Sequence, residues 1–348
     1  MTTPSPAPHP HTMRFQSDNA AAVCPEVLAA IAAANVPGHA YDADAWSARL
    51  DGVLSDWFET SVRAFAVGTG TAANALALAA MSPSYGAVLC HAHAHINTDE
   101  CGAVQFYGGG LPLRPVPGEH GKLQPDALAA EIARLRGDVH ESPVRVLSLS
   151  QATESGTVYT PDEIAALTQP ARARGWRVHM DGARFANALQ HLGCAPADVT
   201  WCAGVDALAL GCIKNGGMGA EAIVLFDPAL GDEVAFRRKR AGQTPSKGRF
   251  RAAELIAMIE TGAWARNAAA ANAGAARLAQ AVGARLLHPR QANELFVDLG
   301  PDGAARLRAQ GFDFYDWRAD GQYAARLVVA WDTPAPHIEA MAAALRAL

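Results

Sequence analysis

Leu208-Ala-Leu-Gly-Cys-Ile-Lys-Asn-Gly-Gly-Met-Gly-Ala-Glu-Ala222 sets one lysine, Lys214, after a short apolar run and before a series of glycines. A second apolar run, Ala222–Phe226, follows it. Little charge flanks Lys214 in sequence, and little water is expected near it. Desolvation favours the neutral amine, which makes it a nucleophile, as a Schiff-base lysine requires. A lysine in an ordinary surface turn gives the same local pattern, so the rest of the chain has to decide between the two.

Upstream, Trp176-Arg-Val-His-Met-Asp-Gly-Ala-Arg184 is an apolar strand that ends in an acid, Asp181. Ligands of open α/β sheets gather at the carboxyl ends of strands, so Asp181 is a site candidate. Capping a helix over Arg184–His191 is its plainer role. Further upstream, Ala64-Phe-Ala-Val-Gly-Thr-Gly-Thr-Ala-Ala-Asn-Ala-Leu-Ala-Leu78 runs from a short strand through a Gly/Thr turn into an Ala/Leu helix. The free N–H groups and dipole of a helix N-terminus bind anions. Small residues let a phosphate approach the backbone, and Thr69 and Thr71 add hydroxyl donors. The stretch is neither a P-loop nor a dinucleotide fingerprint, and a tight strand-to-helix turn is the alternative.

The strand Ala87–His93 leads into His91-Ala-His-Ala-His95. Alternation puts these histidines on one face for as long as the strand lasts. Metal ligation, stacking of one ring on an aromatic cofactor, and plain polar residues at a strand end stay open. No later cluster has metal-ligand spacing, so no metal is assigned. Val144–Leu149 is a buried-type strand opening into the loop Ser150-Gln-Ala-Thr-Glu-Ser. Val234–Phe250 is basic, either as a solvated helix face or offering a cation to a phosphate or a neighbouring subunit. Ala252–Ala281 reads as one or two Ala-rich helices. Beyond it, shorter strands and helices end in a helix over Pro336–Leu348. In Arg326-Leu-Val-Val-Ala-Trp331 a single charge opens an otherwise apolar strand.

These 348 residues, half of them hydrophobic and with a net charge of −5, are long enough for a large domain and a smaller one. The charge gives no basic footprint for nucleic acid. No apolar stretch reaches the roughly 20 residues that span a membrane. Six cysteines without a C-x-x-C pair fit a reduced, cytoplasmic protein. We expect a disordered tail over residues 1–13, a large domain over 14–252 and a small α+β domain over 253–348.

The ordered series of Gly/Thr helix start, histidine strand end, strand-end acid and lysine resembles a pyridoxal-phosphate enzyme of the aspartate-aminotransferase fold. More narrowly, it is similar to the low-specificity L-threonine aldolases. The resemblance runs from Arg14 to Leu348. It is carried by Asp181-Gly-Ala-Arg184, Gly211-Cys-Ile-Lys-Asn-Gly-Gly217, Ser17-Asp-Asn19, Gly70-Thr-Ala-Ala-Asn74, His95 with Glu100-Cys-Gly-Ala, and Arg326-Leu-Val-Val-Ala-Trp-Asp332. It implies a fold-type-I α/β architecture: a large, mostly parallel-sheet domain with a small α+β C-terminal domain. It also implies pyridoxal 5'-phosphate and cleavage of L-threonine and related L-β-hydroxy-α-amino acids to glycine and an aldehyde. Lys214 would carry the cofactor, Asp181 would hold the pyridinium proton, and His95 would stack on the ring. Gly70 and Thr71 would take the phosphate. Arg184 and Arg326, with Ser17, would bind the substrate carboxylate. A homodimer or homotetramer with sites at subunit interfaces is implied, with Tyr41 and the region of Lys247 as candidates to cross them.

The sequence departs from the family pattern twice. A Tyr-Gly-x-Asp turn is common where this chain has Tyr41-Asp-Ala-Asp44, and many relatives carry a histidine in the loop where this chain has Thr153 and Glu154. The proton acceptor for the substrate hydroxyl therefore stays open, with His95 and a water held by Glu100 as candidates. Three other readings remain: β-elimination, transamination or racemisation on the same fold, a metal hydrolase using His91, His93 and His95, and a non-catalytic binding protein on the same scaffold, against which Lys214 and Asp181 together argue.

Overall fold

The computed structural model describes residues 12–318 and 320–348. Its centre is a seven-stranded sheet built from β1 (Arg63–Val67), β2 (Ala87–His91), β3 (Leu113–Val116), β4 (Val144–Ser150), β5 (Arg177–Gly182), β6 (Ala207–Leu210) and β7 (Glu221–Leu225). The spatial order is β1-β7-β6-β5-β4-β2-β3. Only β7 is reversed: it runs antiparallel to β1 and β6, and every other neighbouring pair is parallel. Strands covered on both faces read as unbroken apolar runs, and all residues of β2, β6 and β7 are buried.

Two cores flank the sheet. Helix α1 (Gly70–Met81) is buried over most of its length and lies against one face. Its alanines keep the backbone close to the sheet, and the Thr69 hydroxyl caps its start by accepting from Ala72 N at 3.1 Å. The Ala-rich stretch resolves into α2 (Arg249–Glu260) and α3 (Ala263–Val282), broken at Gly262 with φ +70°. A non-glycine residue rarely adopts that left-handed backbone.

A smaller antiparallel sheet holds β8 (Glu294–Asp298), β9 (Tyr315–Asp316) and β10 (Ala324–Val328) in the order β9-β10-β8. Its core gathers Leu295, Val297, Leu327, Met341 and Leu345, and Phe15 inserts there from the other end of the chain. Helix α3 belongs to both regions: Trp264 and Ala268 pack in the first core, Ala275 and Leu278 in the third. Residues 1–11 of the expected tail lie outside the described residues. Met13 does not: Met13–Arg14 pairs in parallel with Phe312–Asp313. Among the described residues no helix is long and apolar enough to cross a membrane.

Candidate active site

Four strand ends and one helix start converge above the carboxyl edge of the large sheet. Asp181 is the last residue but one of β5, Ser150 ends β4, His95 lies just past β2, Lys214 follows β6, and Gly70 opens α1. Asp181, His95, Lys214 and Gly70 line a cavity of about 250 Å³, with Thr69, Thr71, Asn74, Glu100 and Glu154 around it. A second cavity of about 580 Å³ adjoins it and shares His95, Glu154, Arg184 and Lys214. Its outer wall is Ser17, Glu294, Tyr315, Trp317, Asp320 and Arg326.

The turn bearing Lys214 is fixed by two buried carboxylates. Glu254, from α2, accepts from the backbone N–H groups of Met218, Gly219 and Ala220 at 2.6, 3.0 and 3.1 Å. Glu221 accepts from Cys212 N at 2.8 Å. Gly216 has φ +105°, and a Cβ there would stand 2.8 Å from Asn267 Nδ2. Lys214 is half-buried, but it is not in the charge-poor setting its sequence neighbours suggest. Asp18, Glu221 and His95 all lie within electrostatic reach of its ammonium group. Burial pushes the Glu221 carboxyl up to about 8, with the Cys212 hydrogen bond and Lys214 offsetting part of that.

Asp181 is buried, and each of its oxygens has a donor. Oδ1 accepts from Ala183 N at 3.0 Å and closes the local turn, but the following helix starts at Phe185 without a side-chain cap, so Asp181 does not cap it as expected. Oδ2 accepts from Asn74 Nδ2 at 2.7 Å, and the same amide donates to Glu100 Oε1 at 2.8 Å. Glu100 in turn meets His95 Nδ1 at 2.9 Å. That bond is the main cause raising the His95 pKa, with Asp181 adding to it against the cost of burial. Asn74 is thus a site residue that the motif contained and residue type alone did not mark. Its signal was a polar side chain in an otherwise Ala/Leu helix.

The three histidines do not share a face. β2 ends at His91, and the chain turns before His95 starts a short helix. His91 is buried with both ring nitrogens engaged, Nε2 with Gly118 O at 3.1 Å and Nδ1 with His93 N at 3.1 Å. His95 alone reaches Glu100 and Asp181, the one group among the described residues with metal-ligand proximity.

Arg184 faces both cavities, but most of its fork is already used. Nε and Nη2 donate to Asp18 at 2.8 and 3.0 Å, and Nη2 lies 3.0 Å from Glu294. Burial opposes its charge, yet Asp18 and Glu294 more than compensate and its pKa is raised. Burial likewise pushes Asp18 up, and Arg184 with Lys214 reverses this to a net lowering. Arg326, opposite Phe296 and Tyr315 in register, lies over the Tyr315 and Trp317 rings at 5.5 and 5.1 Å. It stands 3.8 Å from Glu294, and its Nε has no partner. Neither Asp18, which lies in the Ser17-Asp-Asn19 motif, nor Glu294 is assigned a role at the site from sequence. Glu294 opens β8, which ends in a second charge, Asp298, whereas Arg326 stands in the middle of β10 and does not open the strand as expected. The Ser17 hydroxyl caps the turn Asp18–Ala20 and borders the outer cavity.

Tyr41 lines neither cavity. It is exposed, its ring lies under Lys239 Nζ at 4.4 Å, and its backbone pairs with Ser246 and Lys247. The basic stretch is largely committed elsewhere: buried Arg238 pairs with Asp42 and the Ala66 carbonyl, and Arg237 pairs with Glu233. It brings no cation to the cavities' described lining.

A family model described as "Beta-eliminating lyase" matches residues 14–300. The chain is 43% identical to a low specificity L-threonine aldolase of Pseudomonas aeruginosa, covering 97% of this chain and 98% of that one. It is 41% identical to the protein of the same name from a Pseudomonas species, with coverage of 97% and 98%. Among solved structures, a threonine aldolase of Leishmania major superposes with a TM-score of 0.89 at 25% identity, over 96% of this chain and 98% of that one. A serine palmitoyltransferase of Sphingomonas wittichii shares the fold at a TM-score of 0.74 and 14% identity, over 97% and 86%.

Proposed function

The chain belongs to the low-specificity L-threonine aldolases within the β-eliminating lyase family, and from that premise we propose how its site performs the reaction. The enzyme is a lyase that cleaves L-threonine and related L-β-hydroxy-α-amino acids by a retro-aldol reaction to glycine and an aldehyde. One observation carries the assignment of the site: Lys214, Asp181, His95 and the start of α1 line one cavity, although they lie far apart in sequence.

Pyridoxal 5'-phosphate suits this cavity. A Cβ at Gly70 would meet nothing within 4 Å, so the helix start faces open space, with the Thr69 and Thr71 hydroxyls beside it. The N–H groups of that first turn suit a phosphate. Asp181 suits a pyridinium nitrogen, and Asn74 orients it. His95, steadied by Glu100, offers a ring to stack on the cofactor. Lys214 supplies the amine for the covalent link. When bound, the cofactor provides an electron sink for the pair released at the substrate Cα.

The chain's own residues do the rest. The unengaged Nη1 of Arg184, together with Arg326 and Ser17, binds the substrate carboxylate, since an arginine fork matches a carboxylate. Fixing that group orients the Cα–Cβ bond for cleavage over loss of the α-proton or of carbon dioxide. Asp18 and Glu294 hold the arginines in place. The exposed Tyr41 and the exposed Phe106 and Phe236 support a homodimer or homotetramer, with Tyr41 reaching a neighbouring subunit's site. Unpaired cysteines support a reducing compartment, the cytoplasm.

Incubating the protein with L-threonine and pyridoxal phosphate tests the reading. Acetaldehyde and glycine in equal amounts are expected. Ammonia and an oxo acid would instead mean β-elimination, and D-allo-threonine, the product of inversion at Cα alone, would mean racemisation.

A further inference from the structure

We propose that Glu154 is the group that takes the proton from the substrate's β-hydroxyl. It rests on the aldolase reading and adds the residue that reading leaves open. Glu154 borders both cavities, between the Lys214–Asp181 end and the wall formed by Arg326 and Trp317. One of its oxygens is tied down: Oε1 accepts from His95 N at 2.8 Å and from the Ser150 hydroxyl at 2.7 Å. The other, Oε2, is shielded from solvent and has no partner. A shielded carboxylate oxygen without a donor costs free energy until one arrives, and a bound β-hydroxyl is such a donor.

Charges around the carboxyl favour the same role. Burial is the main influence on Glu154, and Asp181 adds to it. The bonds from Ser150 and His95 offset only part, and the group titrates at about 7. Arg184 on the next loop feels its charge, as do the Tyr159 hydroxyl and the Cys90 thiol. Lys214 shares the cavity wall. A base with a pKa near the working pH is both deprotonated enough to act and strong enough to accept. His95 is less suited: its Nδ1 is held by Glu100, and that bond favours the protonated ring.

The step balances. The hydroxyl O–H bond breaks, and the proton passes to Glu154 Oε2. The oxygen's electron pair forms the carbonyl of the aldehyde. The Cα–Cβ bond breaks, its pair stays on Cα, and a proton later added at Cα gives glycine.

The test compares wild-type holoenzyme with Glu154→Gln and Glu154→Asp. Threonine cleavage and exchange of the glycine α-proton with deuterated water are measured across pH. Exchange involves no hydroxyl proton. We expect Glu154→Gln to cut kcat for cleavage by about 100-fold or more, to depress exchange far less, and to abolish the acidic limb near pH 7. Glu154→Asp should restore part of the rate and keep a limb. Infrared difference spectroscopy across the same pH range should give a carboxyl band titrating near 7 in the wild type, missing from Glu154→Gln. Cleavage by Glu154→Gln within threefold of wild type, exchange falling in step with cleavage, or a limb that survives the substitution would each overturn the proposal. If the wild type neither cleaves threonine nor exchanges glycine, the aldolase reading fails and takes this role with it. The infrared titration reports on the carboxyl without turnover, so it tells that failure from one confined to Glu154.

Discussion

Asp181 is held between two donors that fix its direction, Ala183 N on one oxygen and Asn74 Nδ2 on the other. That arrangement favours a charge kept in one place for one partner. Asp181→Asn removes the negative charge and keeps the shape. On the proposed role, kcat falls by at least about 100-fold while KM changes little, because the electron sink matters most in the transition state. Steady-state kinetics with L-threonine checks this, and a kcat near wild type would contradict it. Arg184 teaches the opposite lesson. The family resemblance implied a substrate carboxylate for it, but most of its fork is occupied by Asp18 and Glu294, which come from opposite ends of the chain. Such pairing cannot be read from flanking residues, because the partners are neighbours only in the fold. The same holds for the Lys214 environment.

At the scale of elements, the Lys214 turn depends on α2. Glu254 accepts from three N–H groups of that turn, the one on Ala220 buried and those on Met218 and Gly219 part-buried. Glu254→Ala should cost on the order of 3 kcal/mol in unfolding free energy, read from urea denaturation, whereas Glu254→Gln keeps an acceptor and should lose much less. Glu221 makes the companion pH prediction. Its carboxyl is held at about 8 against an ordinary 4.5, so the native state keeps a proton that the unfolded chain releases. Stability contributed at this group therefore falls as pH rises from about 4.5 to about 8. Glu221→Gln should flatten that part of the profile, and an unchanged slope would show that another group carries it. The strands themselves were legible because buried parallel strands are unbroken apolar runs. Ala-rich helices were legible as helices, though their break needed Gly262. The shared histidine face was misread because alternation holds only while a strand lasts, and β2 stops at His91.

Across the whole molecule, the C-terminal sheet closes the outer cavity. Arg326 reaches it from β10, Tyr315 from β9 and Glu294 from β8. The division expected near residue 252 would fall inside α2, whose Leu255, Ile256 and Met258 pack in the first core, and the packing passes to the third core along α3. Arg326→Ala should leave cofactor binding intact and weaken amino-acid substrates. Removing a charge-assisted bond costs about 1.5–3 kcal/mol, a tenfold or larger loss in kcat/KM. A spectral titration with glycine and threonine reads the effect, and affinities equal to wild type would make Arg326 a surface residue. The central claim is that Lys214 carries the cofactor at the meeting point of these strand ends. Its most direct test is borohydride reduction of the holoenzyme followed by peptide mapping. The account predicts a pyridoxyl label on Lys214 alone, and a label on any other lysine would contradict it.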